Sequence, residues 1–316
     1  MKIFIILGSG NSGAGAIHDY LASREDFLCP FKGKEFRLVN DPDGIDDLFN
    51  AFYNYFSINL TADKFERFNK FTKNIYYSNY NIKYKILDKK FLVLTKNFMK
   101  KIIQIEYNGS PRFFFDKMSL FNKVNFYLKR FLLGKSSKNI ELLKMIIPVN
   151  QEDFLNECEK YLYEIFKLNN EFDKKKNIVL EQGGNFFKPI ESTKYYGSNR
   201  EIILVTRDPK AIFWSMKRRQ SLAYPGHDIE LFVKWYRAIM KNANFNEENK
   251  ITHIKYENFF SDFSNQKKIL CTKLNLDPDI KDNFNLEFTK KNLFKFEKNL
   301  SDSEKEFIND HLKEYV

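Results

Sequence analysis

The sequence is poor in the residues that build disulfides and metal sites, with three cysteines and four histidines among 316 residues. Cys29, Cys158 and Cys271 are odd in number, lie far apart and form no C-x-x-C pair. The histidines show neither H-x-x-x-H nor H-E-x-x-H spacing. Neither a disulfide framework nor a zinc site is indicated, so we expect no metal, and a reducing compartment fits this cysteine usage best.

Long apolar runs are also missing. Apolar runs such as 3–7 and 131–133 fall far short of the roughly 20 residues that cross a bilayer. The first is also shorter than the core of a signal peptide, which spans about 7 to 15 residues. We therefore predict no transmembrane helix, expect the mature chain to start near Met1, and predict a cytoplasmic protein, with the inner face of the membrane as the alternative location.

What the chain does contain is apolar, aromatic and basic. Apolar residues make up 43% and aromatic residues 17%, which excludes a disordered chain. Fifty-two Lys and Arg against 41 Asp and Glu give a formal charge of +11, which favours an anionic partner. Acidic residues are interspersed among the lysines and no nucleic-acid recognition motif occurs, so nucleic acid is not predicted as the partner.

Short apolar runs predict the fold. The segments 2–7, 177–180, 201–206 and 251–256 are each followed by a polar turn and a helical pattern. Such runs are typical of strands buried on both faces of a parallel sheet. Because the first runs into a glycine loop and a helix, we predict a P-loop-like, three-layer α/β domain that spans residues 1–316.

The segment 45–170 differs, being rich in aromatic residues and lysine with mostly helical spacing, and we predict a helical insertion or cap. Within it, apolar residues follow a helical period beside basic ones, at Phe121, Val124, Leu128, Phe131 and Leu132. We interpret this helix as facing the core on its apolar side. The alternative is peripheral contact with a membrane surface or a lipid-linked acceptor.

The loop after the first strand, GSGNSGAG, is the most informative segment. As a Walker A loop it lacks the lysine and the hydroxyl residue, since Ala14 and Gly15 stand there. As a dinucleotide fingerprint, Gly8, Gly10 and Gly13 match G-x-G-x-x-G. A third interpretation is a loop that binds a 5'-phosphosulfate mainly through backbone amides. The loop residues that would line this site are Gly8, Ser9, Gly10, Asn11, Ser12, Gly13, Ala14 and Gly15.

A second segment favours the third interpretation. Arg207 ends a predicted strand, and Ser215 follows eight residues later, after a Pro-initiated turn into a helix. At this spacing the guanidinium and the hydroxyl can converge on one phosphate. The alternative is that Arg207 pairs with Asp208 and that Ser215 is an ordinary helix residue.

Here the chain resembles the sulfotransferase family, whose members combine a strand–loop–helix for the 5'-phosphosulfate with an R-[D/N]-x6-S element for the 3'-phosphate of 3'-phosphoadenosine-5'-phosphosulfate (PAPS). The segment IKYENF, 254–259, resembles the family's strand ending in Y-E-D. TKKNLFK, 289–295, is similar to its basic C-terminal loop. The resemblance covers the first 40 residues and about 177–316.

The resemblance implies PAPS as the donor, held by the glycine loop, by Arg207 and Ser215, and by Lys290, Lys291 and Asn292. It implies transfer of the sulfuryl group to a hydroxyl of a carbohydrate or glycolipid. Relatives carry Lys or Arg where this chain has Asn11. Replacement of that charge by a neighbouring basic residue is a hypothesis, with Lys32, Lys34, Arg37 and Lys188 as candidates.

Transfer to a hydroxyl needs a base. Glu35 is our first candidate because of its interval from the loop, Glu181 the second because it follows a buried strand, and His18 the third. The alternatives are an NAD(P)- or FAD-binding oxidoreductase and a non-catalytic relative that binds nucleotide.

Overall fold

The computed structural model describes residues 1–84, 86–109, 115–116, 118–133, 143–220, 222–243 and 251–315. The strands are β1 (Lys2–Gly8), β2 (Phe27–Leu28), β3 (Ile103–Gly109), β4 (Leu143–Pro148), β5 (Asn177–Glu181), β6 (Arg200–Thr206) and β7 (Ile251–Lys255). The helices are α1 (Ala14–Ala22), α2 (Ile45–Phe49), α3 (Ile58–Tyr76), α4 (Asn79–Tyr84), α5 (Lys89–Lys101), α6 (Leu120–Leu133), α7 (Gln151–Phe166), α8 (Pro189–Thr193), α9 (Pro209–Arg219), α10 (Ile229–Lys241), α11 (Tyr256–Ser261), α12 (Phe263–Leu274), α13 (Leu286–Lys290), α14 (Lys295–Asn299) and α15 (Asp302–Leu312).

A parallel sheet in the order β2-β5-β1-β6-β7 forms the centre of the fold. β1 lies in the middle, with Ile5 beside Leu180 of β5 and Ile202 of β6. Since the carboxyl ends of parallel strands share one edge, the segments after β1, β5 and β6 are brought together there. The predicted α/β class with a central parallel sheet is confirmed.

The alternating direction of side chains along the strands explains why helices pack on the sheet. Phe4 and Ile6 of β1 point to one face, where they join a buried cluster with Ile17 and Tyr20 of α1 and Phe259 of α11. The alternate residues of the strand point to the other face of the sheet and are equally buried. Helices therefore cover both faces. A further cluster unites α9, α10, α14 and α15.

The chain divides into two compact units, Met1–Val39 with Asn169–Val316, and Asn40–Leu168. The second unit contains helices and the antiparallel pair β3–β4. Its core includes Phe98, which stacks on Tyr161 at 4.4 Å and contacts Phe68 at 5.9 Å between ring centroids. The predicted single domain with an insertion at 45–170, part of which lies outside the described residues, stays a prediction. The β3–β4 pair was not predicted.

The helix predicted around Phe121 is present as α6, but its predicted orientation is wrong. Phe121, Val124, Leu128, Phe131 and Leu132 are all exposed. α6 buries Phe126, which lies on the opposite side. Along the described ranges, none of the helices combines the length and the apolarity needed to cross a membrane.

Candidate functional site

The loop between β1 and α1 has a backbone shaped by two left-handed residues. Gly13, which precedes the first residue of α1, has φ 88°, and Asn11 has φ 64°. Glycine and asparagine are the residues that accept this conformation most readily. The Ser12 N–H donates to the Ser9 carbonyl at 3.0 Å and closes the turn. Backbone turns of this kind before a helix direct N–H groups toward a bound anion.

Gln182, which directly follows β5, holds the start of the loop. Its Nε2 donates to the carbonyl of Gly8 at 3.1 Å, and its Oε1 accepts from the N–H of Gly8 at 3.4 Å. Gln182 itself has φ 53°. Gln182 is not recognisable as a site residue from the sequence, because only the pairing of β1 with β5 brings it to the loop.

Two tyrosines pack against the loop glycines and were also missed as site residues. A Cβ on Gly10 would overlap the ring of Tyr224, and a Cβ on Gly13 would overlap the ring of Tyr256. Tyr256 is the first residue of α11 and is buried. The close approach of these rings explains why residues 10 and 13 have no side chain.

Arg207 and Ser215 both reach Asn11. Arg207 Nη1 donates to the backbone carbonyl of Asn11 at 3.3 Å, and the Ser215 hydroxyl donates to Asn11 Oδ1 at 3.2 Å. Asp208 caps α9 by accepting from the Lys210 N–H at 2.8 Å. The proline turn therefore places the guanidinium and the hydroxyl next to the glycine loop.

Arg207 is largely buried. Its guanidinium lies 4.6 Å from the centroid of the Tyr256 ring, and Nε is 3.7 Å from Glu257 Oε1. Burial lowers the pKa of Arg207 despite the nearby charge of Glu257. Burial likewise raises the pKa of Glu257, against the opposing effect of Arg207. Both shifts reflect charged groups removed from water.

Three buried polar atoms at this site have no hydrogen-bond partner within the part of the chain that the structure describes. They are the Ser12 hydroxyl, Arg207 Nε and Glu257 Oε2. Leaving such atoms unpaired costs free energy, so buried polar groups normally find partners. Two of the three are donors, Ser12 in the loop and Arg207 beside it. An anionic ligand is therefore the natural complement of this site.

The three candidate bases lie near one another, beside or on α1. Glu35 forms an isolated parallel bridge with Glu181, and the Phe36 N–H donates to the Glu181 carbonyl at 2.8 Å. The Glu181 carboxylate faces the first turn of α1, with Oε1 2.9 Å from the position of a Cβ on Gly15. Glu181 is half-buried and Glu35 is exposed.

Burial raises the pKa of Glu181. The charges of Glu35 and Asp19 act in the same direction, and those of His18 and Lys34 oppose it. A carboxylate with a raised pKa is better matched to proton transfer near neutral pH. The Glu181 carboxylate thus combines a place beside the first turn of α1 with a pKa that suits proton transfer.

His18 is buried on α1 and bridges two neighbours. Its Nδ1 lies 3.3 Å from Asp19 Oδ1, and its Nε2 lies 3.5 Å from the Cys29 sulfur. Burial acts to lower the pKa of His18, but the hydrogen bonds to Asp19 and Cys29 and the charge of Glu181 outweigh it and raise it to about 9. A pKa raised in this way favours the protonated imidazole at neutral pH.

The remaining predicted residues lie at the surface. Lys290 and Lys291, at the end of α13, are exposed, and Asn292 donates to the Phe288 carbonyl at 2.9 Å. Within the described ranges no hydrogen bond joins these three residues to the glycine loop, so their role stays a prediction. Among Lys32, Lys34, Arg37 and Lys188, which are also exposed, Lys34 acts electrostatically on Glu181.

No protein-family model and no curated protein matches this sequence. Two solved structures similar to the chain are both sulfotransferase domains. One comes from the curacin biosynthetic pathway, with 14% identity, a TM-score of 0.42 and coverage of 99% of this chain and 97% of that chain. The other comes from the olefin synthase of Synechococcus PCC 7002, with 14% identity, a TM-score of 0.39 and coverage of 90% and 78%.

Proposed function

We propose that this protein transfers the sulfuryl group of PAPS to a hydroxyl of a carbohydrate or glycolipid acceptor. The observation that carries the proposal is the convergence of Arg207 and Ser215 on Asn11 of the glycine loop. A buried guanidinium and a hydroxyl beside a turn of backbone amides match a ligand with two separate phosphate groups.

The residues at the loop fit such a donor. The Ser12 hydroxyl and Arg207 Nε are buried donors that a ligand oxygen can satisfy. Tyr224 packs against Gly10 and Tyr256 packs against Gly13. The rings leave no room for a side chain at these two positions, so the loop presents only its backbone there. The loop amides would hold the 5'-phosphosulfate, and Arg207 with Ser215 would hold the 3'-phosphate.

The sheet order argues against the oxidoreductase alternative. In dinucleotide-binding folds, the strand that follows the glycine loop and its helix lies directly beside the first strand. Here β2 pairs with β5, and β5 separates it from β1. The literal match of Gly8, Gly10 and Gly13 to G-x-G-x-x-G therefore lacks its usual structural context.

The reaction forms a bond between the acceptor oxygen and sulfur and breaks the bond between sulfur and the phosphate oxygen. The acceptor proton must pass to a base. We assign this role to Glu181 in preference to Glu35, reversing the order that the sequence favoured, because its carboxylate faces the first turn of α1. We assign His18 an electrostatic role, since its charge opposes the rise in the pKa of Glu181.

Asn11 supplies no positive charge to the oxygen that leaves sulfur. Among the basic residues named from the sequence, Lys34 has the best support as the source of this positive charge. Its charge lowers the pKa of the Glu181 carboxyl group, so it acts close to this part of the site. A donor aimed at a developing negative charge is worth about 10²- to 10³-fold in rate.

The proposal is tested by calorimetric titration of the purified protein with adenosine 3',5'-bisphosphate, NADH, FAD and ATP. We expect binding of the bisphosphate in preference to the other three. Binding of NADH or FAD without binding of the bisphosphate would favour the oxidoreductase. Bisphosphate binding without any turnover of PAPS would favour a non-catalytic relative.

The assignment of the base gives a separate prediction. We expect Glu181→Gln to lower the release of bisphosphate from PAPS by about 10²- to 10⁴-fold, with a smaller effect for Glu35→Gln. The assay uses carbohydrate and glycolipid extracts as acceptors. Calorimetry provides the control, since both variants should bind adenosine 3',5'-bisphosphate as the parent does. A larger loss in Glu35→Gln would return the role to Glu35.

A further inference from the structure

α6 presents its apolar side to solvent instead of to the protein. Phe131 is 86% exposed, Phe121 is 78% exposed, and Leu120 is 82% exposed. Val124, Tyr127, Leu128 and Leu132 are exposed as well. A surface helix of a globular protein normally buries this side, and contiguous exposed apolar surface usually marks an interaction site.

The protein holds α6 by the opposite side. Phe126 is only 7% exposed and meets the ring of Phe115 edge-on, with centroids 4.3 Å apart. The outward orientation of the other apolar residues is thus set by a packed contact. At 100° per residue, Tyr127, Leu120, Phe131, Val124, Leu128, Phe121 and Leu132 fall within an arc of about 140°.

Basic residues border this arc on both sides. Lys123 and Arg130 follow one edge, and Lys129 lies beyond the other. No acidic residue occurs between Leu120 and Leu133. An apolar strip flanked by positive charge, on a helix of 14 residues and about 21 Å, suits a bilayer interface with anionic headgroups. The lack of acidic residues favours anionic lipid over a protein surface of mixed charge.

We propose that α6 docks this protein onto an anionic membrane surface. The helix lies in the plane of the interface, with Phe121, Phe131 and their apolar neighbours among the acyl chains. Lys123, Lys129 and Arg130 lie at the level of the headgroups. The inference rests on α6 alone and is independent of the sulfuryl-transfer function.

Flotation of the full-length protein with vesicles tests the proposal. We expect flotation with phosphatidylcholine vesicles that contain phosphatidylserine and much less with phosphatidylcholine alone. The double variant Phe121→Ser/Phe131→Ser should lose at least tenfold in partition, since each phenyl ring removed from the interface weakens binding. Phe288→Ser/Phe294→Ser is the matched control, because these phenylalanines are 68% and 51% exposed outside α6.

Substitution of the charged residues gives a second test of the proposal. Each Lys or Arg near an anionic surface is worth about fivefold in partition, so Lys123→Gln/Lys129→Gln/Arg130→Gln should weaken flotation about a hundredfold and remove its salt dependence. Circular dichroism of each variant establishes that it is folded. Phe131→Trp, which keeps an aromatic ring, should show a blue-shifted emission and quenching by brominated lipid.

Two results would overturn the proposal. One is equal flotation of the parent and the Phe121→Ser/Phe131→Ser variant. The other is a parent protein that binds neither kind of vesicle; if it also self-associates, and the double serine variant does not, α6 is an interface between copies of this chain.

Discussion

Asn11 occupies the place where two donors meet, although 196 residues separate it from Arg207 along the chain. Its carboxamide oxygen accepts from Ser215, and its carbonyl accepts from Arg207. Both are acceptor oxygens, as the oxygens of a phosphate would be. A ligand phosphate at this point would take over donors that Asn11 engages.

This placement predicts opposite outcomes for two substitutions of Asn11. Asn11→Asp would put a carboxylate on the donors and repel a phosphate, so we expect affinity for adenosine 3',5'-bisphosphate to fall about tenfold or more. Asn11→Gly keeps the left-handed backbone possible and frees the Ser215 hydroxyl, so affinity should be retained. Calorimetry measures both. Unchanged affinity in Asn11→Asp would place the ligand elsewhere.

His18 predicts a pH dependence of stability. Its pKa rises from 6.5 to about 9 on folding, so between these values the folded state binds more protons than the unfolded state. The stabilisation is complete below pH 6.5 and is lost as the pH rises through about 9, a change on the order of 3 kcal/mol.

Urea unfolding at a series of pH values checks this expectation. The free energy of unfolding of the parent should decline through this window more steeply than that of His18→Gln. His227→Gln, at an exposed position, is the control for removal of an imidazole. Parallel pH profiles for the parent and His18→Gln would mean that folding does not raise the pKa of this imidazole.

At the scale of elements, the junction of the loop with α1 depends on Gly13 more than on Gly10. Gly13 has φ 88° and lies against the buried ring of Tyr256. Gly10 faces the outer end of the half-buried Tyr224 side chain, which can move aside. We expect Gly13→Ala to destabilise the protein by about 1–2 kcal/mol or more and Gly10→Ala by less. Equal urea midpoints for the two variants would contradict this account.

The strands were predictable where the apolar run was continuous. β1, β5, β6 and β7 match the predicted segments to within one residue at each end. Their signal is local, since a strand buried on both faces needs apolar residues at every position. β2 has only two residues and carries no pattern. The β3–β4 pair was not predicted because most of β3 is exposed and polar residues interrupt its apolar pattern.

The orientation of α6 shows a limit of periodicity. The apolar spacing predicted a helix with one apolar side, and the helix is present. Periodicity cannot tell whether that side meets the core or faces away from it. Only the burial of Phe126 and the exposure of Phe131 decide the question.

At the scale of the whole molecule, the candidate site is a product of strand order. Gln182 and Tyr256 lie far from Gly8 in sequence, and β5, β6 and β7 carry them to the loop end of β1. The sequence could nominate Arg207 and Ser215 because a motif with fixed spacing contains both. Gln182 and Tyr224 could not be identified from the sequence. Their contacts with the loop depend on long-range packing, which no local sequence pattern encodes.

The most direct test of the central claim compares two nucleotides that differ only in the 3'-phosphate. We predict that the parent binds adenosine 3',5'-bisphosphate about tenfold to a hundredfold more tightly than adenosine 5'-monophosphate, since a charged hydrogen bond is worth about 1.5–3 kcal/mol. Arg207→Ala should bring this ratio close to one. Arg218→Ala is the control, because it removes a guanidinium of α9 that lies 4.9 Å from the Trp214 ring. This variant should preserve the affinity ratio of the parent. An equal preference for the bisphosphate in the parent and in Arg207→Ala would contradict the account.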